Sequence, residues 1–341
     1  MNWLINKLLK FTGTQKFLSV QLEITNACNL NCLHCYQAGH SGNNDLSIDD
    51  WNRILDQYNE LSGKLHLAPH FSISGGEPTI SPLFPIILAE LHSRWPAANI
   101  AVLTNGTHLT DEILSELTRY NIDVQISIDG PDSERHDRIR GPGSFEKSMK
   151  GLQTLQGAML GATFQAVLST RTAPWIRDFF ETAKSRKAVA MNFARFVPQG
   201  KGKSLYEAGG DQPLTGLPLK EAYTTIASAS REYNIPTGTN IPLFALISPE
   251  LGAHGKYGFQ GLVIDYRGNL KVSSRADFRL GNILESGLEE LFLRHPVMKD
   301  LRAGNIEGCR DCRFYDKCGG DRNAAYAAYG SFLRKDPGCW L

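Results

Sequence analysis

Short apolar segments alternate with longer amphipathic segments over the first part of the chain. The apolar segments are rich in Val, Ile, Phe and Leu, as buried parallel strands are; they cover residues 17–25, 70–74, 100–104, 122–128, 163–170 and 188–196. The segments between them have helical spacing and cover residues 48–61, 83–95, 111–120, 145–156 and 175–186. Ser47 and Thr110 stand where helix N-caps are expected. Six such repeats predict an α/β fold with a parallel sheet, either an incomplete barrel or an open doubly wound sheet.

The pattern changes after residue 198. Residues 198–217 are rich in Gly, Lys and Pro, which predicts a loop, and residues 222–233 return to helical spacing. Alternating apolar and polar residues at 261–273, around an Arg-Gly-Asn turn, predict a β-hairpin. We therefore expect a domain boundary between residues 235 and 255, which divides the chain into an amphipathic segment at 1–16, a barrel domain at 17–240 and a smaller domain at 255–341.

The N-terminal segment and the overall charge narrow the possible functions. Residues 1–16 mix apolar side chains with lysines and have no small-residue cleavage site, which disfavours a signal peptide. We favour a helix docked on its own domain over a membrane or partner contact. No apolar run reaches the roughly eighteen residues that span a bilayer. Lys and Arg number 36 against 35 Asp and Glu, for a net charge of +1, which argues against nucleic-acid binding through a broad basic face.

The seven cysteines form two groups. Cys28, Cys32 and Cys35 follow the first predicted strand, and the other group lies near the end of the chain, at Cys309, Cys312, Cys318 and Cys339. Without an export signal, disulfides are disfavoured and metal binding becomes the leading interpretation. We therefore expect a cytoplasmic metalloprotein.

The first group has the spacing Cys-x3-Cys-x2-Cys at the carboxyl end of a strand, where parallel α/β sheets form their active sites. A zinc site is one interpretation, with His34 or His40 as the fourth ligand. The common zinc and ferredoxin patterns, however, use x2 spacings and a fourth cysteine. Three thiolates can instead each hold one iron of a [4Fe–4S] cube and leave the fourth iron open to a ligand.

Glycine-rich or polar turns follow the next three predicted strands. The second strand runs into Gly75-Gly76-Glu77-Pro78, where paired glycines permit close backbone approach and Glu77, extended before proline, is suited to meet an ammonium group. The third ends in Thr104-Asn105-Gly106-Thr107, and the fourth in Ser127-Ile128-Asp129-Gly130, which is suited to a ribose or a carboxylate. Such turns at successive strand ends are hard to attribute to turn chemistry alone.

With these motifs the chain resembles the radical S-adenosylmethionine (SAM) superfamily over most of its length. The resemblance is carried by the three-cysteine loop with its neighbour Tyr36, the Gly75–Pro78 motif, the turn at 104–106 and the segment from His136 to Phe145. It implies a partial (β/α)6 barrel of the TIM type, in agreement with the six repeats. It also implies a SAM-binding [4Fe–4S] cluster on Cys28, Cys32 and Cys35, and a cofactor-binding set of Tyr36, Gly75, Gly76, Glu77, Asn105, Ser127, Asp129 and Arg140.

Within this set the resemblance implies distinct roles. Gly75, Gly76 and Glu77 would line the amino group of SAM, Ser127 and Asp129 would lie near its ribose, and Arg140 near its carboxylate. An electron from a flavodoxin- or ferredoxin-type donor would cleave SAM to methionine and a 5′-deoxyadenosyl radical, which abstracts hydrogen from the substrate.

The second cysteine group resembles the C-terminal SPASM/twitch region of radical SAM enzymes. The full SPASM pattern has seven cysteines for two clusters, but here Ser273, Ser274 and Arg322 stand where further cysteines are expected. We therefore expect one auxiliary [4Fe–4S] cluster on Cys309, Cys312, Cys318 and Cys339; a structural zinc is the alternative. Since no cysteine is then left to donate a hydrogen atom, an oxidative reaction is favoured over epimerisation.

Three functions are compatible with these motifs. We favour a maturase that forms a crosslink or thioether in a ribosomally made peptide, whose leader would be bound by a separate protein or by the loop at 198–217. The second is a tetrapyrrole side-chain enzyme or another small-molecule radical enzyme. The third is a metal-binding scaffold without catalysis. The sequence identifies no acid, base or hydrogen donor.

Overall fold

The described part of the chain forms one mixed sheet with helices packed against it. The structure, a computed structural model, describes residues 17–37, 39–238, 242–252, 255 and 257–341, so the amphipathic segment at 1–16 lies outside the described residues. The strands are β1 Phe17–Glu23, β2 Ala68–Ser74, β3 Asn99–Thr104, β4 Asp123–Ser127, β5 Ala162–Leu168, β6 Ala190–Arg195, β7 Leu262–Ile264, β8 Asn269–Lys271 and β9 Arg279–Asn282. The α-helices are α1 Ile48–Leu65, α2 Phe84–Arg94, α3 Asp111–Arg119, α4 Ser133–Arg140, α5 Ser144–Gly157, α6 Ile176–Ser185, α7 Gly200–Glu207, α8 Gly216–Tyr233, α9 Ile283–Ser286, α10 Leu288–Arg294, α11 Pro296–Ala303 and α12 Arg322–Tyr329.

The first six strands confirm the predicted partial (β/α)6 barrel. Each of β1 to β5 pairs in parallel with the strand that follows it in the chain, and the sheet order is β6-β5-β4-β3-β2-β1-β7-β8-β9. The sheet is therefore open, with β6 at one edge and β9 at the other. All six carboxyl ends lie on the same edge, which brings the loops that follow them together.

Two of the predicted helices, α1 and α3, begin at the caps that the sequence predicts. The Ser47 hydroxyl accepts a hydrogen bond from the Asp50 amide at 3.2 Å, and the Thr110 hydroxyl accepts one from the Ile113 amide at 3.3 Å. Such caps satisfy amide groups that have no partner within the helix. Helix α1 ends at Leu65, and its C-cap residue, His66, adopts the left-handed conformation with φ of 53°.

The two faces of the strands differ in chemistry. Leu18, Val20 and Leu22 of β1 are fully buried, and Trp51 of α1 is buried in the same core. Burial of each such side chain contributes about 1.5–3 kcal/mol relative to exposure. The opposite face of the sheet lines the barrel interior. It carries Gln21 of β1, Gln125 of β4 and Gln165 of β5. The interior is thus a cavity lined by both polar and apolar side chains and not a second close-packed apolar core.

The prediction of a loop at 198–217 was wrong, because residues 200–207 form helix α7 and α8 begins at Gly216. The cause is a tertiary contact that local composition does not reveal. The Gly202 amide donates to the Cys35 carbonyl at 3.0 Å. A Cβ on Gly200, whose φ is +53°, would lie 2.4 Å from the Tyr36 carbonyl oxygen. The glycines that make the segment a poor helix former are what let α7 pack directly on the cysteine loop.

The C-terminal region continues the same sheet from the other side of β1. Strand β7 pairs in parallel with β1, with Val20 opposite Leu262 and Leu22 opposite Ile264. Strands β7 and β8 form the antiparallel hairpin that the sequence predicts, and β8 pairs with β9. The hairpin turn at residues 265–268 therefore lies at the carboxyl end of β1, and Ser274 and Arg275 in the loop after β8 line the barrel interior together with the cysteine loop.

Candidate active site and auxiliary metal centre

The carboxyl ends of the barrel strands surround a cavity of ≈ 340 Å³. Nine residues predicted to bind the cluster or SAM line it, namely Cys28, Cys32, Cys35, Tyr36, Gly75, Gly76, Asn105, Ser127 and Arg140. Glu77 and Asp129 do not line it. Both are buried directly behind its walls, where they bind residues that do. The structure thus brings most of the predicted set to one place.

The cysteine loop is held against the turn that follows β2. The Gly76 amide donates to the Thr25 carbonyl at 2.9 Å, and the Glu77 amide donates to the Ala27 carbonyl at 2.8 Å. A Cβ on Gly75, whose φ is +138°, would lie 2.3 Å from the Thr25 oxygen, and one on Gly76 would lie 2.1 Å from the Ala27 oxygen. The paired glycines are therefore required for the two loops to approach each other.

The three thiols of this loop suit an iron–sulfur cluster better than a single metal ion. All three are free, and burial raises the pKa of each, that of Cys28 to about 11, so that binding iron must displace their protons. Among the described residues, no three His, Cys, Asp or Glu side chains converge on one point where a metal ion could bind. His34, a candidate zinc ligand, uses Nε2 to contact Asp129 at 2.7 Å. A four-iron cube instead takes its ligands at separate corners.

Asp129 organises one wall of the cavity from behind. Its carboxylate contacts His34 and accepts hydrogen bonds from Arg140 Nε at 2.5 Å and from the Val167 amide at 2.6 Å. Burial would raise the pKa of Asp129, but Arg140 and His34 hold it well below its usual range. Burial likewise opposes the charge of Arg140, and Asp129 keeps the Arg140 pKa above its ordinary value. Arg140 Nη1 lies 4.0 Å from the sulfur of Cys32, so this ion pair presents a fixed cation beside the thiols.

Glu77 joins the ends of β2 and β3. Its Oε1 accepts hydrogen bonds from the hydroxyls of Thr79 at 2.7 Å and Thr104 at 2.6 Å, and its Oε2 accepts one from the Asn105 amide at 2.7 Å. Burial raises the Glu77 pKa, and these hydrogen bonds oppose that rise. The Asn105 side chain in turn donates to Asn29 in the cysteine loop at 2.8 Å. Glu77 thus fixes the end of β3, which carries Asn105, a residue that lines the cavity.

Sequence reasoning missed several residues of this site. His34, considered from the sequence only as a zinc ligand, lines the cavity, and Ser274 and Arg275 reach it from the loop after β8. Tyr36 donates its hydroxyl to Glu23 at 3.3 Å, and burial raises the Tyr36 pKa well above its ordinary value. For His34 the available signal was its position within the cysteine motif. The residues after β8 gave no local signal, because their place depends on the pairing of β7 with β1.

The second cysteine group surrounds a separate cavity of ≈ 160 Å³. Cys309, Cys312, Cys318 and Cys339 all line it, together with Tyr315 and Asp336. Burial raises the pKa of Cys309 and Cys318, the latter to about 12. Four thiols that line one cavity form a donor set that fits a fully ligated iron–sulfur cluster. Arg322, which stands where a further cysteine was expected, is buried and donates to the carbonyls of Phe332 and Arg334.

Comparison with known proteins agrees with this arrangement. Residues 22–181 match the family model of the Radical SAM superfamily. The mycofactocin maturase MftC of Mycobacterium tuberculosis is 30% identical over 335 residues, which cover 93% of this chain and 81% of that protein. The AdoMet-dependent heme synthase of Methanosarcina barkeri is 28% identical over 340 residues, which cover 93% of this chain and 94% of that protein.

A solved structure has a similar fold along the whole chain. The structure of Streptococcus suis SuiB bound to precursor peptide SuiA superimposes with a TM-score of 0.74 at 18% identity, covering 100% of this chain and 80% of SuiB. Within the described residues, no helix combines the length and the apolar character needed to cross a membrane. The chain belongs to the radical SAM superfamily, and it is a radical SAM enzyme that uses a [4Fe–4S] cluster and SAM.

Proposed function

We propose that this enzyme matures a ribosomally made peptide by oxidative formation of a crosslink or thioether. The observation that carries the proposal is the pairing of a three-thiol cavity at the barrel strand ends with a separate four-thiol cavity in the C-terminal region. The similarity to a protein named a maturase, and to SuiB with its bound precursor peptide, supports a peptide substrate.

In this proposal, different residues of the cavity hold the cluster and SAM. Cys28, Cys32 and Cys35 hold the SAM-binding cluster, and the backbone at Gly75 and Gly76 faces the amino group of SAM. The side chains on the opposite walls contact the rest of SAM, with Arg140 at its carboxylate and Asn105, Ser127 and Tyr36 nearby. Glu77 and Asp129 position these groups from behind. When bound, the cluster and SAM supply a 5′-deoxyadenosyl radical that takes a hydrogen atom from the substrate.

The auxiliary cluster accounts for the oxidative outcome. Cys309, Cys312, Cys318 and Cys339 would ligate all four irons, which suits removal of an electron from a substrate radical better than substrate binding. All seven cysteines are then ligands, and none is left to return a hydrogen atom. The proposal places the SAM cluster in a barrel domain at 17–240 and the auxiliary cluster in a smaller domain at 255–341.

The same proposal includes the partners and the compartment. A flavodoxin- or ferredoxin-type protein would supply the electron, and a separate protein would bind the leader of the precursor peptide. Because all seven cysteines must stay reduced to bind iron, we place the enzyme in the cytoplasm.

Cleavage of SAM by the reconstituted protein tests the catalytic part of the proposal. The protein is loaded anaerobically with iron and sulfide and incubated with SAM and dithionite, and 5′-deoxyadenosine is measured. Substitution of Cys28, Cys32 and Cys35 by Ala should remove about half of the iron, since each cluster holds about four irons, and should abolish cleavage. The matched variant Cys309→Ala/Cys312→Ala should lose the other half and still cleave SAM. Cleavage that survives in the first variant would refute the assignment.

A small-molecule substrate is the second candidate, favoured by the heme synthase relative, which matches along nearly its full length. Two substrates distinguish the candidates, namely a short peptide encoded beside the gene and an iron-containing coproporphyrin. A loss of two hydrogen atoms from the peptide, detected by mass spectrometry, supports the maturase. Conversion of the porphyrin side chains with no change in the peptide supports the alternative.

A further inference from the structure

Arg195, the last residue of β6, lies between the two cavities. Its buried guanidinium donates to both carboxylate oxygens of Asp336, from Nη1 to Oδ2 at 2.7 Å and from Nη2 to Oδ1 at 3.1 Å. Its carbonyl accepts a hydrogen bond from Arg275 Nη1 at 2.8 Å. Arg275 lines the three-thiol cavity, whereas Asp336 lines the four-thiol cavity. One residue therefore contacts a wall of each cavity.

Asp336 connects the two segments that carry the last thiols of the second group. Its Oδ2 accepts the Asp321 amide at 2.8 Å, and Asp321 lies just after the turn that follows Cys318. Its Oδ1 accepts the Gly338 amide at 2.8 Å, and its own carbonyl accepts the Cys339 amide at 3.1 Å. The position of this carboxylate therefore determines the spacing between the Cys318 turn and Cys339.

Arg195 is the group that fixes this carboxylate. The Asp336 side chain has 0% exposure, and its bidentate partner is Arg195. A Cβ on Gly338 would lie 2.3 Å from Arg195 Nη2, so the guanidinium packs directly against the backbone before Cys339. Asp321 Oδ2 lies 3.8 Å from both Arg195 and Arg275, which places two arginines against two carboxylates in one buried network. Lysine would keep the charge of Arg195 but not its two-pronged geometry.

We propose that Arg195 is a positioning residue that holds Cys339 and the Cys318 turn in the geometry of the auxiliary cluster. The inference rests on the proposed auxiliary cluster and extends it. It means that a residue of a barrel strand, and not the cysteine-rich tail alone, holds the cysteines of that site in place. It also means that the end of β6 sets the position of the auxiliary cluster relative to the SAM cavity.

Release of iron to a chelator tests this role on the reconstituted full-length protein. Wild-type protein with two clusters should release iron in two phases, and the variant with Cys28, Cys32 and Cys35 changed to Ala identifies the auxiliary phase because it keeps only that cluster. Arg195→Lys should speed the auxiliary phase at least tenfold and leave the other phase unchanged. Arg195→Gln should hold only about half of the wild-type iron, the share of one cluster of about four irons.

Arg171→Gln is the matched control. Arg171 lies in a barrel loop, where it donates to the Gly210 carbonyl, and this variant should behave as wild type.

The possible outcomes distinguish an effect on the auxiliary cluster alone from a loss of stability of the whole protein. An auxiliary phase of wild-type rate in Arg195→Lys would overturn the inference, and so would an equal acceleration of both phases, which indicates a loss of overall stability. Asp336→Asn serves as the second variant if Arg195→Gln does not fold, and it should also speed only the auxiliary phase. A wild-type protein with a single phase would overturn the auxiliary cluster and this inference together, whereas two phases without 5′-deoxyadenosine would count against the proposed function alone.

Discussion

Lys271 Nζ lies 3.2 Å from Oε2 of Glu23, so the C-terminal hairpin and the first strand share a buried ion pair. Lys271 also donates to the carbonyl of Ser274 at 3.3 Å, and Ser274 lines the three-thiol cavity. On the other side, Glu23 accepts the hydroxyl of Tyr36, the neighbour of Cys35, which we propose as a cluster ligand. The pair therefore links the cysteine loop to the loop after β8.

Loss of the Lys271 charge should destabilise the protein strongly. Lys271→Met leaves the Glu23 carboxylate buried without its cation, which costs about 3–5 kcal/mol. The change is measured as the free energy of unfolding of the metal-free protein in urea. The double variant Glu23→Gln/Lys271→Met should recover part of the loss, because a neutral amide still accepts the Tyr36 hydroxyl.

An exposed ion pair provides the control for Lys271. Lys203 and Glu207 lie 3.8 Å apart on α7 with both side chains more than half exposed, so Lys203→Met should change stability by less than about 1 kcal/mol. Equal losses in Lys203→Met and Lys271→Met would contradict the assignment of a buried pair.

Gly76→Ala should disrupt the SAM-cluster site while leaving the fold intact. The new methyl group would lie 2.1 Å from the Ala27 carbonyl oxygen, so the cysteine loop must move away from the β2 turn. We expect the reconstituted variant to lose about half of its iron, the share of one four-iron cluster, and to form no 5′-deoxyadenosine.

Gly63→Ala is the matched control for Gly76→Ala. Gly63 lies in α1, and a Cβ there meets nothing within 4 Å. Since alanine favours a helix by about 1 kcal/mol over glycine, this variant should be as stable as wild type or more so, with full iron content. Iron loss in both variants would show that the loss in Gly76→Ala does not come from the Ala27 contact.

Asp129→Asn should weaken SAM binding. The amide keeps the shape of the side chain but removes the charge that holds Arg140 Nε at 2.5 Å and faces His34. We expect the Kd for SAM to rise about tenfold, equivalent to ~1.4 kcal/mol and in the range of a hydrogen bond to a charged group. Titration of SAM into the reconstituted protein measures the change.

The control for Asp129 is an aspartate that also pairs with an arginine but lies at the surface. Asp132 contacts Arg135 Nε at 2.7 Å with its side chain 44% exposed, so Asp132→Asn should leave the Kd for SAM unchanged. A wild-type Kd in Asp129→Asn would remove Asp129 from the positioning role proposed for it.

The parts of the site that local sequence determines were predictable. The cysteines follow β1 directly, and the glycine pair and Asn105 follow β2 and β3, so the parallel strand order brings them to one edge. The strands themselves are recognisable from their apolar content, and the caps at Ser47 and Thr110 have the expected polar residues. These features depend on neighbours in the chain and on one topological rule.

The remaining parts depend on contacts between distant segments. Nothing near Arg275 or Lys271 indicates that β7 pairs with β1 and brings both residues to the barrel. Helix α7 forms on a glycine-rich segment because Gly202 reaches the Cys35 carbonyl, a contact with no local signature. Glu77 shows a third case, since its position in the motif is evident but its bonds to Thr104 and Asn105 are tertiary.

The parallel pairing of β7 with β1 also has a consequence for how the protein is made. Leu22 pairs with Ile264, so one edge of β1 stays open until most of the chain has left the ribosome. Contacts between such distant residues form slowly, because a long loop must close before they contribute stability. The loop after β8, which completes the cavity wall, arrives at the same late stage. We therefore expect the SAM-binding cluster to be inserted after synthesis is complete, and an unfinished chain to expose its three thiols to oxidation before iron can protect them.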